Sequence, residues 1–220
     1  TQFNLKLYYV GMLYNQVFPG GIGGDGYKVY LLNKQYKTPL KGLIAATLLD
    51  RISGVVALGF LAFLLALVGG EAYGLLEGYG FLIWVGLIIA YPCYYVLVRF
   101  VFPTFKKVNH ITNLQSLGSQ ILQVLCAYLM LKSLGVTDGY LDYFTLFLAS
   151  SVAAAFPISL PGGLGVREGV MVLGADLFIL DQNAAMAFAS LFFLITLFSS
   201  LIGLVYLRQV KSVEAKSKSI

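Results

Sequence analysis

Charge is scarce in this 220-residue chain, and histidine and cysteine are scarcer. Asp, Glu, Lys and Arg make up 11% of the residues, where a soluble domain carries about a quarter. With 59% hydrophobic residues beside so little charge, an ordinary soluble domain is excluded. The one histidine, His110, stands in a basic loop beside Lys106 and Lys107, so a serine hydrolase lacks a base placed near a nucleophile. Cys93 and Cys126 lie isolated in apolar runs, too few for a disulfide framework, and read as small packing residues. Without a Cys/His cluster there is no metal site to expect, and no other cofactor is implied. No basic region precedes the first apolar segment and no small-residue cleavage site follows it, which excludes a signal peptide. A start at Thr1 instead of Met leads us to expect a piece of a longer protein, with further helices ahead of it.

What the chain has in abundance is uncharged length. Residues 7–24, 52–70, 78–98, 111–131, 143–166 and 182–207 each run for 18 residues or more without Asp, Glu, Lys or Arg. A bilayer core about 30 Å thick needs about 20 apolar residues per helical crossing. The expected fold class is therefore an all-α polytopic membrane protein, one transmembrane domain over residues 1–220. Spans are expected at about 42–69, 79–98, 116–134 and 183–207, with a tail at 208–220.

The net charge of +5 does not point to nucleic acid here, because in a membrane protein the placement of the basic residues decides. Lys28, Lys34, Lys37 and Lys41 share one connection, Arg99, Lys106 and Lys107 another, and Arg208, Lys211, Lys216 and Lys218 the tail. The connections between carry Glu71 and Glu77, Asp138 and Asp142, and Asp176 and Asp181, with Lys132 as the one basic residue. The positive-inside rule puts the three basic groups, and hence the C-terminus, in the cytoplasm. The loop 103–116, with basic residues among apolar ones, suggests a short interfacial helix.

Two segments do not read as simple spans. Residues 3–32 are broken at Phe18-Pro19-Gly20-Gly21-Ile22-Gly23-Gly24-Asp25-Gly26, and residues 143–181 at Phe156-Pro157-Ile158-Ser159-Leu160-Pro161-Gly162-Gly163-Leu164-Gly165-Val166-Arg167-Glu168. Proline removes a backbone donor and glycine weakens a helix, so both sites should be unwound. Within lipid, unwound backbone persists where protein or a wet cavity satisfies it. The charge map returns residue 182 to the side of residue 142, which makes the second segment a re-entrant hairpin from outside. The first exits at the basic loop 28–41 and reads as a hairpin from inside, giving an inverted repeat. Pro19-Gly20-Gly21-Ile22-Gly23 and Pro161-Gly162-Gly163-Leu164-Gly165 are nearly one pentapeptide. Paired interruptions of this kind point to a binding site, because a broken helix offers free N–H groups and a positive dipole end inside the membrane. Gly20, Gly21, Gly162 and Gly163 are the backbone candidates. Asp25, Asp50, Arg51, Arg167 and Glu168 are the charged ones, since an ionisable residue at membrane depth costs about 2.5–3.5 kcal/mol. Asp50 and Arg51 are neighbours in sequence and cannot face each other on a helix, so Arg51 is expected to reach a lipid phosphate or Asp25.

These residues together resemble the transmembrane flippase-domain family of lysylphosphatidylglycerol synthases. The resemblance is carried by the 18–25 motif, by Asp50-Arg51, and most specifically by Pro157 to Gly169, and it covers essentially the whole chain. It implies a multi-pass protein of the prokaryotic cell membrane that moves a polar-headed lipid across the bilayer. Some members of the family are fused to an aminoacyl-transferase domain, others are attached to glycosyltransferases or stand alone. The family usually has further N-terminal helices and a basic residue soon after the Gly-Asp, for which Lys28 is the nearest candidate. No synthase domain follows residue 207, so aminoacyl transfer is not expected of this chain. The expected partner is a membrane phospholipid or another polar-headed lipid. The alternative is a non-transporting subunit that anchors or assists a lipid-modifying transferase. An intramembrane enzyme fits poorly: an aspartyl protease wants Gly-x-Gly-Asp, and Ile22 takes the first glycine's place.

Overall fold

The computed structural model describes residues 2–18, 21–68, 80–156 and 160–216, with side chains to residue 209. Pro19, Gly20, Glu71, Glu77, Lys218 and the run Pro157-Ile158-Ser159 lie outside the described residues. The elements in chain order are α1 Gln2–Val17, α2 Gly23–Tyr36, α3 Leu40–Val68, α4 Gly80–Val101, α5 Asn109–Ser133, α6 Tyr140–Ala154, α7 Val166–Leu177, α8 Gln182–Ser200 and α9 Ile202–Lys216. Short 3₁₀ turns occupy Pro103–Phe105 and Pro161–Gly163. Every regular element among the described residues is helical, and the protein is an all-α polytopic membrane protein.

Four helical stretches are long and apolar enough to cross a bilayer: Leu40–Val68, Gly80–Val101, Asn109–Ser133 and Gln182–Gln209. Each overlaps one of the four segments expected from the charge-free runs. Their outward faces confirm the solvent. Phe81, Trp84 and Ile88 of α4 and Ile111, Leu114 and Leu122 of α5 are exposed. In water such a continuous apolar surface would drive association, whereas lipid tails accept it without penalty. Between α4 and α5 the expected interfacial helix over 103–116 is not formed as such. One 3₁₀ turn, Pro103–Phe105, is followed by α5 from Asn109, whose start is tied into the protein by buried Asn109 and Asn113, bonded to Tyr94 and Ser53.

By contacts the chain divides into two compact units. The first comprises Thr1–Leu48, Ala154–Gly165 and Phe193–Ile220. Its centre is an antiparallel hairpin of α1 and α2, in which Phe3 meets Tyr36 and Tyr14 meets Tyr27. Leu7, Val10 and Leu31 are buried at its seam, with Tyr206 and Leu207 of α9 packed on them. Two glycines set the spacing. A Cβ on Gly24 would overlap the carbonyl oxygen of Gly11, and a Cβ on Gly203 would overlap that of Tyr9. The helices approach to backbone contact at these points, as small residues permit in membrane bundles.

The second unit comprises Leu49–Ala153 and Val166–Phe192. Its core gathers Phe147, Leu148, Met171, Ala175, Phe188 and Ala189, all fully buried. Phe147 meets Phe188 and Phe192 edge-to-face at 5.2 and 4.9 Å, pairs worth about 0.5–1.5 kcal/mol each beyond their area. α6 and α7 run antiparallel, with Gly174 against Leu146 and the Tyr143 hydroxyl donating to the Asp181 carbonyl at 3.3 Å. Asp142, expected in a polar outer connection, is instead buried in the first turn of α6, where the helix dipole favours a carboxylate.

Candidate functional site

The first break is shorter than the sequence suggests. α1 runs to Val17 and α2 starts at Gly23, so Gly24, Asp25 and Gly26 are helical. Tertiary contact with α1 outweighs the helix weakness of three glycines. Gly21 takes φ 59°, a left-handed conformation that glycine adopts without strain. At the new helix end the Gly24 amide donates to Asn15 Oδ1 across the hairpin at 2.7 Å. Asn15 thus caps α2 from the neighbouring helix. Asp25 accepts from Lys28 Nζ at 3.3 Å, one turn on, and is 13% exposed. The same ammonium stands 5.0 Å from the Tyr8 ring centre, and its stem crosses Gly11. Lys28 was the basic residue sought after Gly-Asp; the structure makes it a partner of Asp25.

The second break is a true change of direction. Gly162, Gly163 and Gly165 take φ of 68°, 80° and 80°. The Gly163 amide donates to the Leu160 carbonyl at 3.0 Å, closing the turn. A Cβ at Gly162 would lie 2.5 Å from Gln16 Nε2 and 2.9 Å from the Phe193 ring. The Pro161–Gly163 turn is therefore seated on the last turn of α1, immediately ahead of the first break. Gln16 Nε2 is buried there without a hydrogen-bond partner among the described residues. Gly21, Asp25, Gly162 and Gly163 belong to the first unit, and Gly20 lies outside the described residues.

The other four candidates belong to the second unit. Arg167 and Glu168 open α7, where Glu168 complements the helix dipole. The Arg167 guanidinium lies 4.4 Å from the centre of the Phe192 ring, and its Nε is buried with no hydrogen-bond partner among the described residues. Stacking satisfies the face of a guanidinium and leaves its edge donors for an acceptor. Asp50 and Arg51 do not open a helix. α3 begins at Leu40, so they sit about 15 Å along it. Asp50 is exposed and Arg51 half-buried.

A polar seam escaped the sequence reading. Ser53 is fully buried and donates to Asn113 Oδ1 at 2.7 Å, with Ser116 Oγ 3.0 Å away. Tyr94 donates to Asn109 Oδ1, and Asn109 is likewise buried. Asn109, Asn113, Ser116 and Gln120 recur at i, i+4, i+7 and i+11, one stripe of α5. That spacing was readable: a polar stripe on a lipid-spanning helix turns to protein.

Apolar helices long enough to cross a bilayer, interrupted by glycine-rich breaks, define a multi-pass helical membrane domain. The chain matches the family model of the lysylphosphatidylglycerol synthase TM region over residues 3–203, and it belongs to that family. No curated protein and no solved structure matches it.

Proposed function

We propose that this chain moves a polar-headed phospholipid across the cell membrane, binding the head group without covalent chemistry. Membership of the family, four apolar crossings and two Pro-Gly-Gly breaks support the reading. The observation that carries it is Arg167: a guanidinium in an apolar bundle, stacked on Phe192, with Nε buried and without an acceptor among the described residues. A cation so placed costs about 2.5–3.5 kcal/mol to insert, a penalty that a bound phosphate offsets. In this reading Arg167 and Arg51 meet the lipid phosphate, while Asp50 and Glu168 meet its cationic or hydroxylated part. The basic connections and C-terminal tail face the cytoplasm.

The test is lipid translocation by the full chain in vesicles, comparing wild type with Arg167→Lys and Arg167→Ala. Lysine keeps the charge and loses the planar, bidentate donor set. Transport should fall about tenfold or more in Arg167→Lys, matching a lost charge-assisted contact of about 1.5–3 kcal/mol. Thermal stability in detergent should change little. Wild-type transport by both variants would defeat the proposal and favour a subunit that assists a lipid-modifying transferase.

A further inference from the structure

A second place in the molecule asks for an anion, and it does not depend on α7. Where α4 ends and α5 begins, Tyr95, Val98, Arg99, Lys106, Asn109 and His110 line a cavity of about 430 Å³. That volume falls within the range of about 300–1,000 Å³ typical of small-ligand sites. No acidic side chain is among the lining residues.

One lining residue, Asn109, separates the cavity from a merely basic surface. Asn109 is 1% exposed, and its Oδ1 is taken by the Tyr94 hydroxyl. Its Nδ2 is buried and has no hydrogen-bond partner among the described residues. A buried amide nitrogen left unpaired is costly, and it can be satisfied by an acceptor and nothing else. Around it stand four further sources of positive potential or donor hydrogens. Arg99 and Lys106 carry full charges. His110 Nδ1 is 2.9 Å from the Tyr95 hydroxyl; with the hydroxyl donating, Nε2 keeps its hydrogen and donates elsewhere. α5 itself starts here, with no side-chain cap and no acid in its first turn, so its dipole end is uncompensated.

Donor-bearing side chains from α4, the connection and α5 line this one cavity, and a tetrahedral group with several acceptor oxygens can meet more of them than a single-oxygen ligand. We propose that this cavity binds a phosphate group. It lies at the end of two bilayer-crossing helices, beside exposed Phe100, Ile111 and Leu114, so a lipid headgroup and a soluble phosphate can both reach it.

The experiment is ligand binding by native mass spectrometry of the full chain in detergent. The probes are phosphatidylglycerol, diacylglycerol as the phosphate-free lipid, and inorganic phosphate. Wild type is compared with Arg99→Gln/Lys106→Gln and with Lys34→Gln/Lys37→Gln, which removes equal charge elsewhere. The first pair should weaken phosphatidylglycerol binding by about thirtyfold, each basic side chain at a membrane surface being worth a factor of about five. The second pair and diacylglycerol binding should be nearly unaffected. Asn109→Asp keeps the oxygen that Tyr94 needs and replaces the buried donor, so it should also weaken binding. Displacement of the lipid by millimolar inorganic phosphate would establish the soluble ion as a sufficient ligand. Binding of phosphatidylglycerol that resists displacement would assign the site to the lipid headgroup. Equal losses in the two double variants, or none in the first, would overturn the proposal.

Discussion

The two Pro-Gly-Gly pentapeptides are nearly identical in sequence and are used differently. After the first, the helix resumes at Gly23, because α1 lies close enough to cap it through Asn15 and to press on Gly24. After the second, three glycines at positive φ carry the chain through a turn, and the helix resumes only at Val166. Gly24, directly after the first motif, serves close packing, while Gly162, Gly163 and Gly165 of the second serve backbone direction. The same residues permit both, and the neighbouring surface selects between them.

The contrast breaks most sharply at Gly24. Gly24→Ala should cost about 3 kcal/mol or more, since the new methyl meets the fixed backbone of Gly11 with nowhere to relax. Gly26→Ala, two residues on and facing open space, should be neutral or stabilising by up to about 1 kcal/mol. Thermal melting in detergent separates them. Equal effects would show that the α1–α2 contact is not tight.

At the second break, Gly162→Ala should cost about 2 kcal/mol, combining positive φ with the clash against Gln16 and Phe193. Gly21→Ala meets no atom and should show the backbone cost alone, about 1 kcal/mol. Adding Gln16→Ala should recover part of the loss at Gly162 and none at Gly21, measured by the same melting experiment. Recovery at both would mean that Gln16 acts by something other than contact.

Asn15→Ala removes the cap on α2 and should cost about 1 kcal/mol, with faster amide exchange at Gly24 as its signature. The amides of α7, which does not carry this bond, should exchange as before.

The smallest effect tests the same distinction at two helix ends. α5 closes with Gly135 at φ 80°, and α7 with Ile179 at φ 54°, each followed by the backward bond that ends a helix. Ile179 is a β-branched residue in a glycine position. Ile179→Gly should stabilise the protein by about 1 kcal/mol and Gly135→Ala destabilise it by about as much. A loss of stability in Ile179→Gly would show that its exposed side chain makes a contact that outweighs the strain.

The class of protein was legible in the residues alone. Charge-free runs near 20 residues long admit few structures other than spanning helices, because lipid forbids unpaired backbone. The places where the helices break were legible too, since proline and glycine act locally. Whether Gly24-Asp25-Gly26 is loop or helix was not, because the deciding atoms belong to Asn15 and Gly11. Asp25 stood in the chain order as a possible partner for Arg51, and the fold pairs it with Lys28. The stripe from Asn109 to Gln120 was visible as spacing, but its meaning came from Ser53 and Tyr94, distant in sequence. Local backbone chemistry and the solvent of the helices are properties of short segments, and the chain spells them out. Partners for polar groups are set by what packs against them, and that is decided by the fold.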